Sequence, residues 1–308
     1  MKKLLPIIFL SFIFLTLNFE AKAKKYKINE VVENKFYFNK RFIMNLPEGK
    51  WTVIGRYNQD YYGIRGKVYT LVRIENKTIL ESIEIGEMNT AGIFPTEVSH
   101  AIYEVIFKDK YDGCYERPEY YLVKVFKKGS THNCIVIGHS DVYRDFFTPD
   151  DPDATNASIK KWIRDNKIQL PKVGLTSFHA YYSRLVKGKW YLLNYGIDPN
   201  ILNAPKNNFI SEESSEYHKN NISKYPEHQK IMDRWVSISA QRHLEFENIV
   251  EALDAHKLDL NNLLPLKSLN SENLSSDIVD QINKLNNLYK NGALTKDEFE
   301  KAKKKLLN

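Results

Sequence analysis

Short runs of alternating apolar and polar residues, separated by turn formers, fill the region between residues 45 and 200. Trp51, Val53 and Gly55 alternate with Thr52, Ile54 and Arg56 after a Pro-Glu-Gly turn at 47–49. Residues 63–74 place Val68, Thr70, Val72 and Ile74 on one face and Tyr69, Leu71 and Arg73 on the other. Period-two patterns of this kind predict β-strands. Asn76-Lys77 reads as a hairpin turn into a return strand over 78–85. Further strands are predicted over 101–107, 119–126, 132–137, 173–186 and 189–195, with Lys187-Gly188 turning the last pair. Residues 24–40 read as a charged lead-in with an edge strand, and 90–100 and 148–153 as loops. Residues 156–166 read as a short helix presenting Ile159, Trp162 and Ile163. The regular strand spacing predicts an antiparallel sheet rather than βαβ units.

The period changes after residue 226. Ile231, Trp235, Ile238, Phe246, Ile249 and Leu253 fall on one helical stripe, interrupted by Arg242. They predict a single helix of roughly 25–30 residues, long for a globular protein, lying across a sheet face. Residues 200–215 read as a polar loop, and 257–276, rich in Asn, Leu and Ser around Pro265, as a linker. The fold class is therefore α+β: an antiparallel β-rich main domain over 24–256 that ends in a long amphipathic helix. A small two-helix hairpin over 277–308 follows.

In that tail, Ile278, Ile282, Leu285 and Leu288 recur at spacings of four, three and three, one face of a helix. Gly292 sits where the helix stops. Thr295, with Glu298 three residues on, forms a capping box for a second helix whose apolar side is Phe299, Ala302 and Leu306. Lys301, Lys303, Lys304 and Lys305 stand near its C-terminus, where positive charge suits the helix dipole. Isolated helices below roughly 12–15 residues are marginal in water, so this hairpin needs an apolar partner. Leu285, Leu288, the turn Gly292-Ala293-Leu294-Thr295, Glu298-Phe299 and Lys303 before Leu306-Leu307 resemble the SHOCT family, a short C-terminal module of bacterial proteins. Leu294 stands where isoleucine is more usual. The resemblance implies oligomerisation and no catalysis. Self-association or intramolecular docking through Ile278, Ile282, Leu285, Leu288, Phe299 and Leu306 is the expectation, with no cofactor.

Residues 1–23 carry the parts of a secretory signal peptide: Lys2-Lys3, an apolar run from Leu4 to Phe19, and the small-x-small site Ala21-Lys22-Ala23. The run is shorter than the roughly 20 residues that span a bilayer, and no cysteine follows it to accept a lipid. Cleavage after Ala23 leaves no transmembrane segment. Heavy use of Lys, Asn and Ile points to a bacterial genome rich in A and T, so a periplasmic or secreted protein is expected. The two cysteines, Cys114 and Cys134, lie in the exported part and are expected to pair. Closing that loop of about 20 residues contributes roughly 3 kcal/mol in the chain-entropy model. The formal charge is +7, from 45 Lys and Arg against 38 Asp and Glu interspersed along the chain. That pattern reads as an ordinary solvated surface, and with export it argues against a nucleic-acid partner.

Chemistry is sparse. Gly138-His139-Ser140-Asp141 gathers a base, a nucleophile and an acid, but Val142 stands where a nucleophile elbow needs glycine. On a strand His139 and Asp141 share a face, and His179 lies on another predicted strand, so the three are the weak catalytic candidates. No phosphate-cradling loop, dinucleotide fingerprint or metal-ligand spacing occurs. The doublets Tyr61-Tyr62, Tyr120-Tyr121 and Tyr181-Tyr182 each place one ring on either face of a strand, where exposed rings would stack on sugars. The leading reading is an exported, non-catalytic binding or assembly protein. The alternatives are a periplasmic hydrolase acting on envelope material, or a carbohydrate- or lipid-binding module.

Overall fold

The computed structural model describes residues 25–61, 64–89, 114, 117, 120–127, 132–147, 154–183 and 189–254. The signal segment, the predicted strand at 101–107, the loops at 90–100 and 148–153, the linker and the C-terminal hairpin lie outside the described residues. Ten strands are seen among them: β1 Val31–Val32, β2 Lys35–Tyr37, β3 Ile43–Asn45, β4 Trp51–Tyr61, β5 Ile64–Glu75, β6 Thr78–Asn89, β7 Tyr120–Lys127, β8 His132–Asp141, β9 Val173–Ser183 and β10 Lys189–Ile197. The helices are α1 Val142–Phe147, α2 Ala154–Asp165 and α3 Pro226–Asp254.

Eight strands form one antiparallel sheet in the order β1-β4-β5-β6-β10-β9-β8-β7, and β2 pairs with β3 apart from it. Consecutive strands β4, β5 and β6 are a meander. Asn76 and Lys77 turn β5 into β6 with φ of 48° and 63°, and two positive φ values are what a twist-matched two-residue hairpin requires.

Both faces of the sheet are covered, and alternation assigns side chains to each. On one face Val53, Leu71, Ile83, Tyr195 and Ile137 form a row, and Tyr69, Ile85, Leu193 and Ile135 form the next. Over these rows lie α3, through Trp235, Phe246 and Val250, and the N-terminal segment, through Phe36, Phe42 and Leu46. Each of these six is fully buried. Burying one such large side chain stabilises by about 1.5–3 kcal/mol, so α3 is held by its apolar stripe. The stripe also contains Arg242, which the sequence pattern reads as an interruption; the guanidinium is 4% exposed and lies within the packed face.

The opposite face carries two smaller clusters. The first packs Ile159, Trp162 and Ile163 of α2 on Ile54, Val72 and Ile79. Here α2 sits so close that a Cβ on Gly55 would stand 2.7 Å from Ile159 Cδ1, which explains a glycine in mid-strand. The second cluster gathers Met88, Cys114, Cys134, Ala180, Tyr182 and Trp190. Cys114 and Cys134 are joined by a disulfide with Cα atoms 6.1 Å apart. The loop before α3 is polar in sequence yet packed in part: Ser215 and Tyr217 are fully buried.

Candidate functional site

The sheet face beneath α3 holds an inner layer of polar side chains. Ser177 and His179 are two apart on β9 and so project to the same side; both are fully buried. Ser177 Oγ lies 3.0 Å from His179 Nε2. The other ring nitrogen, His179 Nδ1, lies 3.1 Å from His243 Nδ1 of α3, and the two imidazoles stack with centroids 5.3 Å apart at 19°. One Nδ1 must carry the proton that the other accepts, so the accepting ring is uncharged. Burial drives both pKa values down. His179 is well below the usual imidazole range, pushed further by the neighbouring charges of His243 and Arg242, and His243 falls to about 4. Phe126 of β7, itself part-exposed, stacks on His243 at 4.9 Å, so three rings run inward from the surface.

Beside this relay lies a buried ion pair. Glu81 of β6 is 2% exposed and takes Arg73 Nε at 2.8 Å on Oε1. Its Oε2 is 3.7 Å from Arg242 Nη2. The Arg242 guanidinium stacks 4.2 Å over the Tyr195 ring and 5.5 Å from that of Trp235, an arrangement that suits a delocalised, weakly hydrated cation. Burial raises the neighbouring Glu245 to about 7, against the lowering pull of Arg242. Further polar links tie α3 to the sheet: Trp235 Nε1 donates to Thr176 O at 3.1 Å, Asn133 Nδ2 to Glu247 at 2.8 Å and Tyr181 OH to Glu251 at 3.3 Å.

The sequence-nominated residues fall into two places. His139 and Asp141 do share a sheet face, since they pair with Leu175 and Val173 of β9. His179, however, pairs with Ile135, four residues along β8 from His139; at about 3.3 Å per residue the two imidazoles belong to sites roughly 13 Å apart. His139 Nε2 contacts Glu212 O at 3.2 Å, and its ring packs against Tyr217 and His218. Asp141 Oδ1 accepts the backbone N–H of Arg144 at 3.0 Å, the geometry of an N-cap on α1. Its own N–H donates to Glu212 Oε1 at 3.1 Å, and Glu212 also pairs with Arg144 at 2.6 Å. His139 and Asp141 thus anchor the 199–225 loop and α1 to the end of β8. Tyr181, Tyr182, Trp190, Tyr191 and Tyr195 of the aromatic hairpin are all within the core.

Chemically, Ser177 and His179 have the spacing of a nucleophile and its base, yet neither presents surface to solvent and α3 lies over them. What the layer does in this conformation is fix α3 in register on β8 and β9. Among the described residues no three His, Cys, Asp or Glu side chains stand together as a metal site, and no helix is long and apolar enough to cross a membrane. His243, Arg242 and Ser177 escape sequence reasoning because no motif joins them. The signal available was a polar pair, Arg242-His243, in the middle of an apolar helical stripe.

Residues 280–307 match the family model described as Short C-terminal domain, SHOCT. No curated protein and no solved structure matches the chain.

Proposed function

We propose that this is an exported bacterial binding or assembly protein without catalytic activity, in which the C-terminal SHOCT hairpin mediates oligomerisation or docking. The family match over 280–307 carries the reading. Two short helices with one apolar ridge, as the sequence predicts for 277–308, would bury too little surface to be stable alone, so the module is expected to act by contact. The Cys114–Cys134 disulfide supports export, because such bonds persist in oxidising compartments and are rare in a reducing cytosol. The engagement of His139 and Asp141 in loop anchoring and helix capping supports a binding role over hydrolysis.

Export is tested by expressing the whole sequence in a bacterium and measuring intact mass in each cell fraction. The expected species lies outside the cytoplasm, begins at Lys24 and has the mass deficit of one disulfide. A full-length chain with free thiols recovered only from the cytoplasm removes the proposal.

A further inference from the structure

His179 of β9 and His243 of α3 meet Nδ1 to Nδ1 at 3.1 Å. Such a contact has room for one hydrogen, because an imidazolium donates from both nitrogens and accepts at neither. The outer nitrogens differ. His179 Nε2 meets Ser177 Oγ at 3.0 Å, whereas His243 Nε2 is buried without a hydrogen-bond partner. A proton added to His243 in place leaves a buried, charged N–H unbonded. A proton added to each ring sets two N–H groups against each other. Both arrangements are costly in a site screened from water.

The groups around the pair do not offset that charge. Arg242 of α3 bears on His179 and opposes its protonation. Glu81 of β6 is taken by Arg73 of β5 and by Arg242, and Glu245 of α3 is coupled to Arg242. Glu247 of α3 accepts from Asn133 Nδ2, and Tyr181, next on the same face of β9, donates to Glu251. Tyr195 of β10 meets His179 edge-on at 5.9 Å, and Lys124 of β7 lies 5.3 Å over the Phe126 ring. Among the described residues neither imidazole is paired with a carboxylate.

The two rings are held unequally. His179 is enclosed by Ser177, Tyr195 and Phe246. His243 stacks at 4.9 Å on Phe126, which is 41% exposed on β7, the last strand of the sheet. We propose that the His179–His243 contact is an acid-released latch: His243 turns out past Phe126 as it takes up a proton, the link between the Nδ1 atoms breaks, and α3 stays docked. The helix stays because Trp235, Phe246 and Val250 are fully buried and Trp235 Nε1 donates to Thr176 O, none of which depends on pH. Once out, the ring binds its proton at the ordinary value of about 6.5. The ratio of open to closed latch then rises about tenfold for each pH unit below that value, until pH nears 4, where the closed ring also protonates. His179 is fully buried in the closed form, and the open latch gives its imidazole a way to the edge of the sheet.

Nuclear magnetic resonance of the full chain, labelled with nitrogen-15 in its histidine rings, tests this. At pH 7 a scalar coupling should join the two Nδ1 nuclei. Between pH 6.5 and pH 4.5 that coupling should fade as His243 gains the shifts of a solvated imidazolium, with the open-to-closed ratio climbing about tenfold per pH unit. The backbone signals of α3 should hold their positions throughout. Phe126→Ala removes the ring that His243 stacks on when closed, and should raise the ratio at each pH by about twofold to tenfold, the worth of one aromatic pair. A coupling undiminished at pH 4.5 overturns the latch. So does a His243 that takes up its proton with the coupling intact, a coupling lost only together with the backbone signals of α3, or a Phe126→Ala chain with the unaltered ratio.

Discussion

Denaturant unfolding at pH 6.5 and pH 4.5 should show the protein losing about 3 kcal/mol of stability on acidification. The source is the imidazole pair beneath α3. His179 and His243 are held uncharged in the fold by burial, with pKa values far below and near 4, whereas the unfolded chain takes up protons at the ordinary value of about 6.5. Below that pH the unfolded state binds more protons than the folded one. Stability is therefore complete above about 6.5 and falls with pH toward the folded values, by up to about 1.4 kcal/mol per pH unit for each histidine. Glu245 acts in the opposite sense: raised to about 7 in the fold, it favours the folded state as pH drops from 7 toward the ordinary carboxyl value of about 4.3. One carboxyl against two imidazoles leaves a net loss of the size stated. His139 and His228, also lowered by burial, add in the same direction as the pair. His243→Asn should remove about half of the pair's pH dependence, and Glu245→Gln should steepen the fall. A stability profile flat between these pH values contradicts a neutral, buried pair.

Glu81→Ala should destabilise by about 3–5 kcal/mol, the cost of leaving one member of a buried ion pair without its partner. Arg242 is 4% exposed, and Glu81 is the counter-charge within ion-pair distance of it; the Tyr195 and Trp235 faces remain but do not neutralise it. The reverse deletion is milder. Arg242→Met leaves Glu81 paired with Arg73 through the 2.8 Å Nε contact and keeps the stem volume against Trp235. The double change Glu81→Met/Arg242→Met should recover part of the loss, since it removes the stranded charge of Arg242 and leaves only the part-exposed Arg73 without its carboxylate. Urea midpoints for the three variants decide the order. Equal losses for the two single variants would show that Glu81 and Arg242 do not act as a pair.

Much of the sheet is legible in the chain because a strand records its two faces in alternate residues. The runs at 51–56, 78–85, 132–137 and 189–195 fall within observed strands, as do the described parts of two more, 64–74 and 120–126, and Asn76-Lys77 is the observed turn. The long helix is legible for the same reason at its own period, over Pro226–Asp254. Register is not legible. Alternation correctly puts His139 and Asp141 on one face, but only pairing shows that His179 lies opposite Ile135 and away from them. The buried polar layer is hidden for a related reason. Arg242 is explained by Glu81, which lies on a strand far earlier in the chain, and His243 by His179, 64 residues before it. A helical pattern alone shows Arg242 as a break in an apolar stripe. The 199–225 loop is misleading in composition, because several of its polar groups are bonded locally: Glu216 Oε1 accepts from Asn208 N at 3.0 Å and Asn221 Nδ2 donates to Ser215 O at 3.1 Å. Polar sequence therefore coexists with burial there. In the lead-in, β1 is the edge strand that the sequence suggests, and β2 adds a second short strand whose Phe36 ring is buried.

The central claim is that the C-terminal hairpin joins this chain to others. Multi-angle light scattering of the chain from Lys24 to Asn308, beside one ending at Ser276, addresses it without a ligand. At matched concentrations the longer chain should have the greater mass, and deleting 277–308 should remove an association step. Equal masses at every concentration would contradict the claim.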